Sequence, residues 1–462
     1  MVKTGDKIGF LIPPAAKNII RDYAGGIGFE KTNAKKDAYF LPPLDLAQLA
    51  ACLQPEFQVF VIDAEAEDMT QAEVEKILSR QGPQAVLVKV SFPTFSTDIS
   101  FINSIKKIVP LVIPKIETHD KEILTALLQS TGVDRCIVSE CESNLSGILK
   151  GNDEKGTASL ASGHLVINNT YVPVRDLDSL PFPNRGLLRQ QFYNYPKLGI
   201  CTTILSSRGC PYPCGYYCPY PLTQGKTWRA KSARKVISEV SSVLDSGISK
   251  ILFRDAVFTL DIQRAQQICE LIIQEKLVFS WWCETRADKL TVGLIEKLSL
   301  AGCVGINIGV ESGDPDLRYA RLKRGVSDEL LVSVCTNARK QNVKIAFLLM
   351  VGFPGETRAS ILKTAELLIK CKPDDIGINY PVNYPGTRLN TDALKNGWVK
   401  NELRINDMDG SQPVLTTPEL RAADMIYSKE LLEVLFDRIK SRDEKGTNQY
   451  LQELTEWAKN KN

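Results

Sequence analysis

Histidine is nearly absent from this chain: His119 and His164 are the two among 462 residues. Chemistry built on a histidine base or a multi-histidine metal site is therefore set aside as the main reading. An excess of one charge is also absent. Lys and Arg number 57 against 54 Asp and Glu, a net charge of +3, which gives no case for nucleic acid as a main partner. A long apolar opening run is missing too. Ile8–Ile12 stops at Pro13-Pro14, too short for a signal-peptide core or a membrane span. Without such a signal, the twelve cysteines do not read as a disulfide framework. They read as reduced thiols of a cytoplasmic protein, most of them core filler and a few of them ligands. No internal repeat or long low-complexity segment is visible.

What is present reads as ordinary globular protein, 44% apolar and 24% charged. In residues 1–150, short apolar runs at Lys7–Ile12, Gln58–Ile62, Ala85–Val90, Leu111–Ile113 and Arg135–Val138 alternate with helical patterns. That alternation predicts a Rossmann-like parallel sheet covered on both faces, with its ligand crevice at the carboxyl ends of the strands. Residues 151–195, polar and Gly/Ser-rich and then Pro-containing, read as a linker and strap. From 196 to 390 the alternation resumes, with strands expected at Gly199–Leu205, Lys250–Phe253, Phe279–Cys283, Val304–Ile308, Lys344–Met350 and Asp375–Ile378. Those units predict a partial (β/α)6 barrel with function at its strand ends. Residues 391–462 read as a helical C-terminal region. The fold class expected is thus α/β.

The strongest chemical signal is Ser207-Arg208-Gly209-Cys210-Pro211-Tyr212-Pro213-Cys214-Gly215-Tyr216-Tyr217-Cys218. Cys210, Cys214 and Cys218 on a Gly/Pro-rich turn can hold three irons of a cubane cluster and leave the fourth open. A zinc site would need a fourth ligand, and no second Cys or His pair lies near in sequence. Three core cysteines would be a poor fit to Pro211, Pro213 and Gly215.

This run resembles the radical S-adenosylmethionine (SAM) superfamily, whose usual signature is Cys-x3-Cys-x2-Cys; here the second gap is three residues. Its flanks, Ser206–Pro211 and Trp228-Arg229-Ala230-Lys231-Ser232, resemble the cobalamin-binding branch of that superfamily. The resemblance implies a [4Fe–4S] cluster on Cys210, Cys214 and Cys218, with Tyr217 against the SAM adenine and Tyr216 as its competitor. It implies further SAM contacts at strand ends: Asp255 near the amino group, Glu284 on ribose hydroxyls, and Arg286 on the carboxylate. It also implies a polar SAM contact at Glu311 and Ser312 and an adenine lined by the backbone from Gly352. Each residue also has an ordinary structural reading, Asp255 near a helix cap and Gly352–Thr357 as a plain βα turn.

The amino-terminal region resembles the corrinoid-binding domain of the same branch at Ile12-Pro13-Pro14, Gly25-Gly26-Ile27-Gly28, Leu41–Ala47, Val61-Ile62-Asp63-Ala64, Ser91-Phe92-Pro93-Thr94 and Asp178–Pro183. The resemblance places Pro13, Asp63, Ser91, Thr94 and Glu117 around cobalamin. Three departures stand out. Asp63-Ala64-Glu65 has no histidine for the cobalt. The fourth strand is followed by Pro114-Lys115-Ile116-Glu117-Thr118-His119 in place of Gly-Gly-x-His. The Gly-Glu-x-Glu pattern appears as Ser139-Glu140-Cys141-Glu142. His119 reads either as a pocket residue or as a solvated loop residue.

The family chemistry is reductive cleavage of SAM to a 5′-deoxyadenosyl radical by a one-electron donor such as flavodoxin or ferredoxin. The reaction expected is cobalamin-dependent C-methylation of an unactivated carbon in a small-molecule or peptide substrate. The alternative is a cyclase or rearrangement enzyme that does not use the corrinoid. A methylthiotransferase would need a second three-cysteine site, and Cys52, Cys136 and Cys141 fall on different elements. A non-catalytic corrinoid carrier would have no need of Cys210, Cys214 and Cys218.

Overall fold

The computed structural model describes residues 2–15, 19, 21, 39–168, 173–323, 325–399 and 405–459. By internal contacts the chain divides into two compact units, Met1–Pro211 with Pro219–Lys231, and Tyr212–Cys218 with Ser232–Asn462.

The first unit is built on a sheet of β1 (Lys7–Ile12), β2 (Gln58–Asp63), β3 (Ala85–Lys89), β4 (Leu111–Lys115), β5 (Arg135–Ile137), β6 (Thr157–Ala161) and β7 (His164–Asn168), in the order β2-β1-β3-β4-β5-β6-β7. The first five strands are parallel. Every residue of β3 is buried, as expected of a strand covered on both faces. Helices α1 (Leu44–Leu53), α2 (Gln71–Gln81), α3 (Phe95–Ile105), α4 (Lys121–Thr131) and α5 (Leu145–Lys150) supply the connections. The order reverses between β1 and β3, so the crevice of an open α/β sheet falls at their carboxyl ends. The Gly25–Gly28 stretch lies outside the described residues.

Two expectations are corrected here, the linker after residue 150 and the strand at Gly199–Leu205. Residues 151–168 are not a linker: β6 and β7 form a hairpin that extends the sheet beside β5. The Ser162-Gly163 turn, with both residues at positive φ, is a two-residue hairpin signal hidden in a polar stretch. Helix α3 begins at Phe95, because Asp98 lies inside its first turn and folds its carboxylate back onto Ser91 and Thr94. The strand expected at Gly199–Leu205 is split. Asn194–Tyr195 (β8) pairs with Gly199–Ile200 (β9), and Thr202–Ile204 is β10. Between β9 and β10 the Cys201 amide donates to the Tyr193 carbonyl.

Ser207–Arg208 (β11) pairs antiparallel with Arg229–Ala230 (β12), and α6 (Tyr220–Thr223) lies between them. In the second unit, α7 (Ala233–Asp245) leads to β13 (Lys250–Phe253), β14 (Ser280–Thr285), β15 (Cys303–Glu311), β16 (Lys344–Met350) and β17 (Asp375–Asn379). These five are parallel and adjacent in chain order. Helices α8 (Ile262–Gln274), α9 (Val292–Leu300), α10 (Asp328–Lys340) and α11 (Arg358–Cys371) alternate with them. Each starts on a capping side chain, Asp261, Thr291, Ser327 and Thr357, that accepts an amide of the first turn. After α12 (Arg388–Lys395), α13 (Ala422–Lys440) and α14 (Glu444–Lys459) pack against α11. Arg358 joins that contact, bonding Asp424 at 2.8 Å and lying 5.0 Å over the Trp457 ring. Among the described residues no helix is long and apolar enough to cross a membrane.

Charge is buried at the carboxyl ends of the first sheet. Lys89, the last residue of β3, meets Asp45 of α1 at 2.7 Å with both side chains 1% exposed. Burial alone would push the Asp45 carboxyl up, but Lys89 and Lys115 hold it below its usual range. Lys89→Met would leave Asp45 buried without its ion pair. Denaturant titration is expected to show a loss of about 3–5 kcal/mol; a loss below about 1 kcal/mol would show the pair to be incidental.

Candidate active site

The cysteine loop is closed at its base by backbone. The Cys210 amide donates to the Gly225 carbonyl at 3.1 Å, and the Gly209 amide to Gln224 Oε1 at 3.1 Å. Gly209 has φ +83°, and a Cβ there would lie 2.1 Å from the Thr227 carbonyl oxygen. No other residue fits this close approach.

Further along, Pro213–Tyr216 is a 3-10 turn, and the Cys218 amide donates to the Cys214 carbonyl at 3.3 Å. That i to i+4 bond sets Cys214 and Cys218 on one face of a helical turn. The extra residue in the second gap is thus absorbed by winding. Cys214 and Tyr217 are buried in a cluster with Leu317, Leu322, Phe353, Leu389, Ala393 and Leu415. The same winding separates the two tyrosines. Tyr217 is buried and packs edge-on against Phe353, ring centroids 4.9 Å apart. Tyr216 is half-buried and faces Asp392 and Arg321; burial and then Asp392 push its hydroxyl up. None of the twelve cysteines forms a disulfide.

The strand ends of the second unit carry the remaining predicted residues. Asp255 follows β13 and is fully buried. Glu284, near the end of β14, accepts from Arg254 Nη1 at 2.5 Å and from Asn307 Nδ2 at 3.2 Å. Trp282 Nε1 in turn donates to Asn307 Oδ1 at 2.9 Å, so a buried relay fixes the Glu284 carboxylate. Arg286 lies 4.0 Å over the Tyr212 ring and holds Asp288 with Nε and Nη2 at 2.8 and 3.0 Å. Its Nη1 is buried and has no partner.

Glu311 closes β15 at a bulge where the pairing skips from Gly309 to Glu311, and its φ is +68°. A buried non-glycine in this region is strained, as occurs where a backbone is bent to aim a side chain. Ser312 follows, fully buried, its amide on the Val310 carbonyl at 2.9 Å. After β16, Gly352 adopts φ +109°, and its amide donates to Glu356 Oε2 at 2.6 Å.

Sequence reasoning missed Glu356 as a site residue. It is fully buried, and burial pushes its carboxyl up to about 7; the Gly352 and Phe353 amides oppose the rise and Asp314 adds to it. Also missed were Tyr212, Arg254 and Asn307. A carboxylate directly after a Gly-Phe-Pro-Gly turn was the available signal for Glu356; the others are visible only in three dimensions.

In the first unit several predicted residues already have protein partners. Asp63 accepts from Tyr193 Oη at 3.1 Å and from the Ala66 amide, and burial pushes its carboxyl up to about 6. Thr94 Oγ1 donates to Asp98, which also takes the Ser91 amide and Arg21. Glu117 pairs with Lys115 at 2.5 Å. Pro13 is buried just past β1. Two polar atoms at neighbouring strand ends stay open: Ser91 Oγ after β3 and His119 Nδ1 after β4, both buried without a partner. Burial lowers the His119 pKa.

The donor sets fit the groups that the sequence implies. A thiol-only loop suits an iron–sulfur cluster. The open Arg286 Nη1 suits a carboxylate, and the orphaned Ser91 Oγ and His119 Nδ1 suit an amide-bearing ligand in the crevice. Among the described residues, no three Cys, His, Asp or Glu side chains are already gathered closely enough to hold a metal ion. Cys52, Cys136 and Cys141 make a poor second cluster site, because burial pushes their thiols up, Cys52 to about 11 and Cys136 to about 12.

Residues 204–368 match the Radical SAM superfamily. The uncharacterized methyltransferase PH0819 of Pyrococcus horikoshii is 28% identical over 370 residues, 77% of this chain and 79% of that protein. The fold is shared with the radical SAM methyltransferase TsrM from Kitasatospora setae, solved with cobalamin and a [4Fe–4S] cluster bound. There the TM-score is 0.66 at 17% identity, over 86% of this chain and 76% of that one. It is shared as well with the cobalamin-dependent radical SAM enzyme OxsB, at TM-score 0.63 and 18% identity, over 95% of this chain and 61% of that one.

The buried Glu356 gives a pH test. Its folded pKa of about 7 lies above the unfolded value of 4.5, so the folded state holds the extra proton. Its contribution is full below pH 4.5 and is lost as pH rises through about 7. Denaturation of the native protein and of Glu356→Gln should therefore diverge by about 3 kcal/mol across that window. Parallel pH profiles would contradict the assignment.

Proposed function

We propose that this chain, whose residues 204–368 carry a radical SAM domain, holds a [4Fe–4S] cluster on Cys210, Cys214 and Cys218 and binds SAM at the strand ends of its second unit. It methylates an unactivated carbon of a small-molecule or peptide substrate with the help of cobalamin held in the first unit. The observation that carries this reading is the cysteine loop, pinned at Gly209 and wound so that Cys214 and Cys218 share a face.

When bound, the cluster supplies the electron that cleaves SAM and the corrinoid supplies the methyl group. The chain's own residues position and shield. The three thiols give up their protons to become ligands. Arg286, braced by Asp288 and stacked on Tyr212, offers its open Nη1 to the SAM carboxylate. Glu284, fixed by Arg254 and Asn307, accepts from ribose hydroxyls. Tyr217 and Phe353 supply apolar surface for the adenine and keep water from the thiols around Cys214. Ser91 and His119 offer the two open polar atoms for cobalamin. The electron comes from an external flavodoxin- or ferredoxin-type donor.

A second reading is radical cyclisation or rearrangement without the corrinoid. It is favoured by Asp63, Thr94 and Glu117, each already satisfied within the protein. Reconstitution with hydroxocobalamin, gel filtration and an absorption spectrum separate the two. Stoichiometric corrin retained by the protein supports methyl transfer; none retained supports the second reading.

Anaerobic reconstitution should give about four irons per chain and reductive SAM cleavage. Each single change of Cys210, Cys214 or Cys218 to Ala should abolish cleavage, and retained cleavage would overturn the proposal. Arg286→Lys should weaken SAM binding by about 10- to 100-fold, the worth of a charge-assisted bond. Unchanged SAM binding would remove Arg286 from the site.

A further inference from the structure

Both strands at the base of the cysteine loop carry an arginine, and Arg208 faces Arg229 across the β11–β12 pair. Two like charges directly opposite each other are unfavourable on their own. Here both turn onto Glu140, which lies just after β5. Arg229 forks onto it, Nη2 to Oε1 at 2.7 Å and Nη1 to Oε2 at 2.8 Å, while Arg208 Nη1 reaches Oε2 at 3.1 Å. Arg208 Nη2 also pairs with Glu142 at 2.7 Å. All four side chains are under 9% exposed, so two cations and two anions form a desolvated knot.

The knot reaches the loop by two routes. Arg208 is two residues before Cys210. Arg229 Nη2 also donates to the Gln224 carbonyl at 2.9 Å, and the Gln224 side chain in turn takes the Gly209 amide. Replacing such a set by apolar residues is often neutral or stabilising, so stability alone does not account for it. What forked ion pairs add is a single geometry.

We propose that Glu140, assisted by Glu142, is a positioning residue for the cluster: through Arg208 and Arg229 it fixes the loop base and so the place of Cys210. The Ser139-Glu140-Cys141-Glu142 stretch, which in the sequence reads as an altered corrinoid motif, then serves the iron–sulfur site. This inference rests on the cluster reading above for its purpose, and on the ion-pair geometry alone for its mechanics.

The test uses Glu140→Gln in the full chain, with Glu142→Gln as the milder variant because Glu142 pairs with Arg208. In the apo protein, alkylation of Cys210 followed by mass spectrometry should speed at least tenfold in Glu140→Gln relative to native, with Cys136 unchanged as an internal control. In the reconstituted protein, iron loss to a chelator should speed by a similar factor. The cluster potential should shift upward, because losing one of the two anions leaves the two guanidiniums in net excess, and that positive charge favours the added electron. Adding Arg208→Met to Glu140→Gln should cancel the potential shift, which a merely loosened fold would not do. Native alkylation rates in Glu140→Gln overturn the proposal. If Glu140→Gln does not fold, native alkylation rates in Glu142→Gln overturn it equally. A native protein that takes up no iron defeats the cluster reading, while the alkylation ratio still decides this one.

Discussion

Two arginines converge on one carboxylate, and the stretch that bears the three thiols begins at one arginine and ends at the other. Arg208 and Arg229 would repel across β11 and β12 if Glu140 were absent. With it present, the ribbon closes, Gly209 fits under the Thr227 carbonyl, and Cys210 is set by a backbone bond to Gly225. The three thiols are short-range neighbours. The group that fixes their frame is 68 positions from Arg208 and 89 from Arg229.

Within the second unit the same division holds between the proposed SAM contacts and the residues that brace them. Arg286 and Glu284 sit at the carboxyl edge of a parallel strand, where an α/β architecture gathers ligand contacts. Neither stands alone. Asp288 and the Tyr212 ring brace Arg286, and the Trp282–Asn307 relay with Arg254 braces Glu284. The bulge that puts Glu311 at positive φ bends the backbone within a rigid strand. Apolar packing of Cys214 and Tyr217 with Phe353 gives the low-dielectric surroundings in which thiolate ligation and electrostatic contacts are strong.

Much of this could be read before any coordinates. Fully apolar runs such as Ala85–Lys89 announce a strand buried on both faces, and Ser, Thr or Asp before an amphipathic run announces a helix start. The cysteine loop stands out in the sequence because its three thiols and its Gly and Pro residues are adjacent. Other features do not. The Ser162-Gly163 hairpin lies in a stretch whose polarity imitates a linker. Asp98 reads as a helix-start acid, yet it is the buried partner of Arg21, Ser91 and Thr94. Glu140 carries no local mark of its bond to Arg229, since that bond exists only once β5 and β12 are both in place. Local pattern fixes elements and ligand loops; the supports of a site come from register across the fold.

The central claim is that Cys210, Cys214 and Cys218 would hold a cluster with one iron left open to SAM. Electron–nuclear double resonance on the reduced, reconstituted protein with nitrogen- and oxygen-labelled SAM tests it most directly. The account predicts hyperfine coupling of both labels to the cluster spin in the native chain. A reduced cluster that shows no coupling to either label would contradict it.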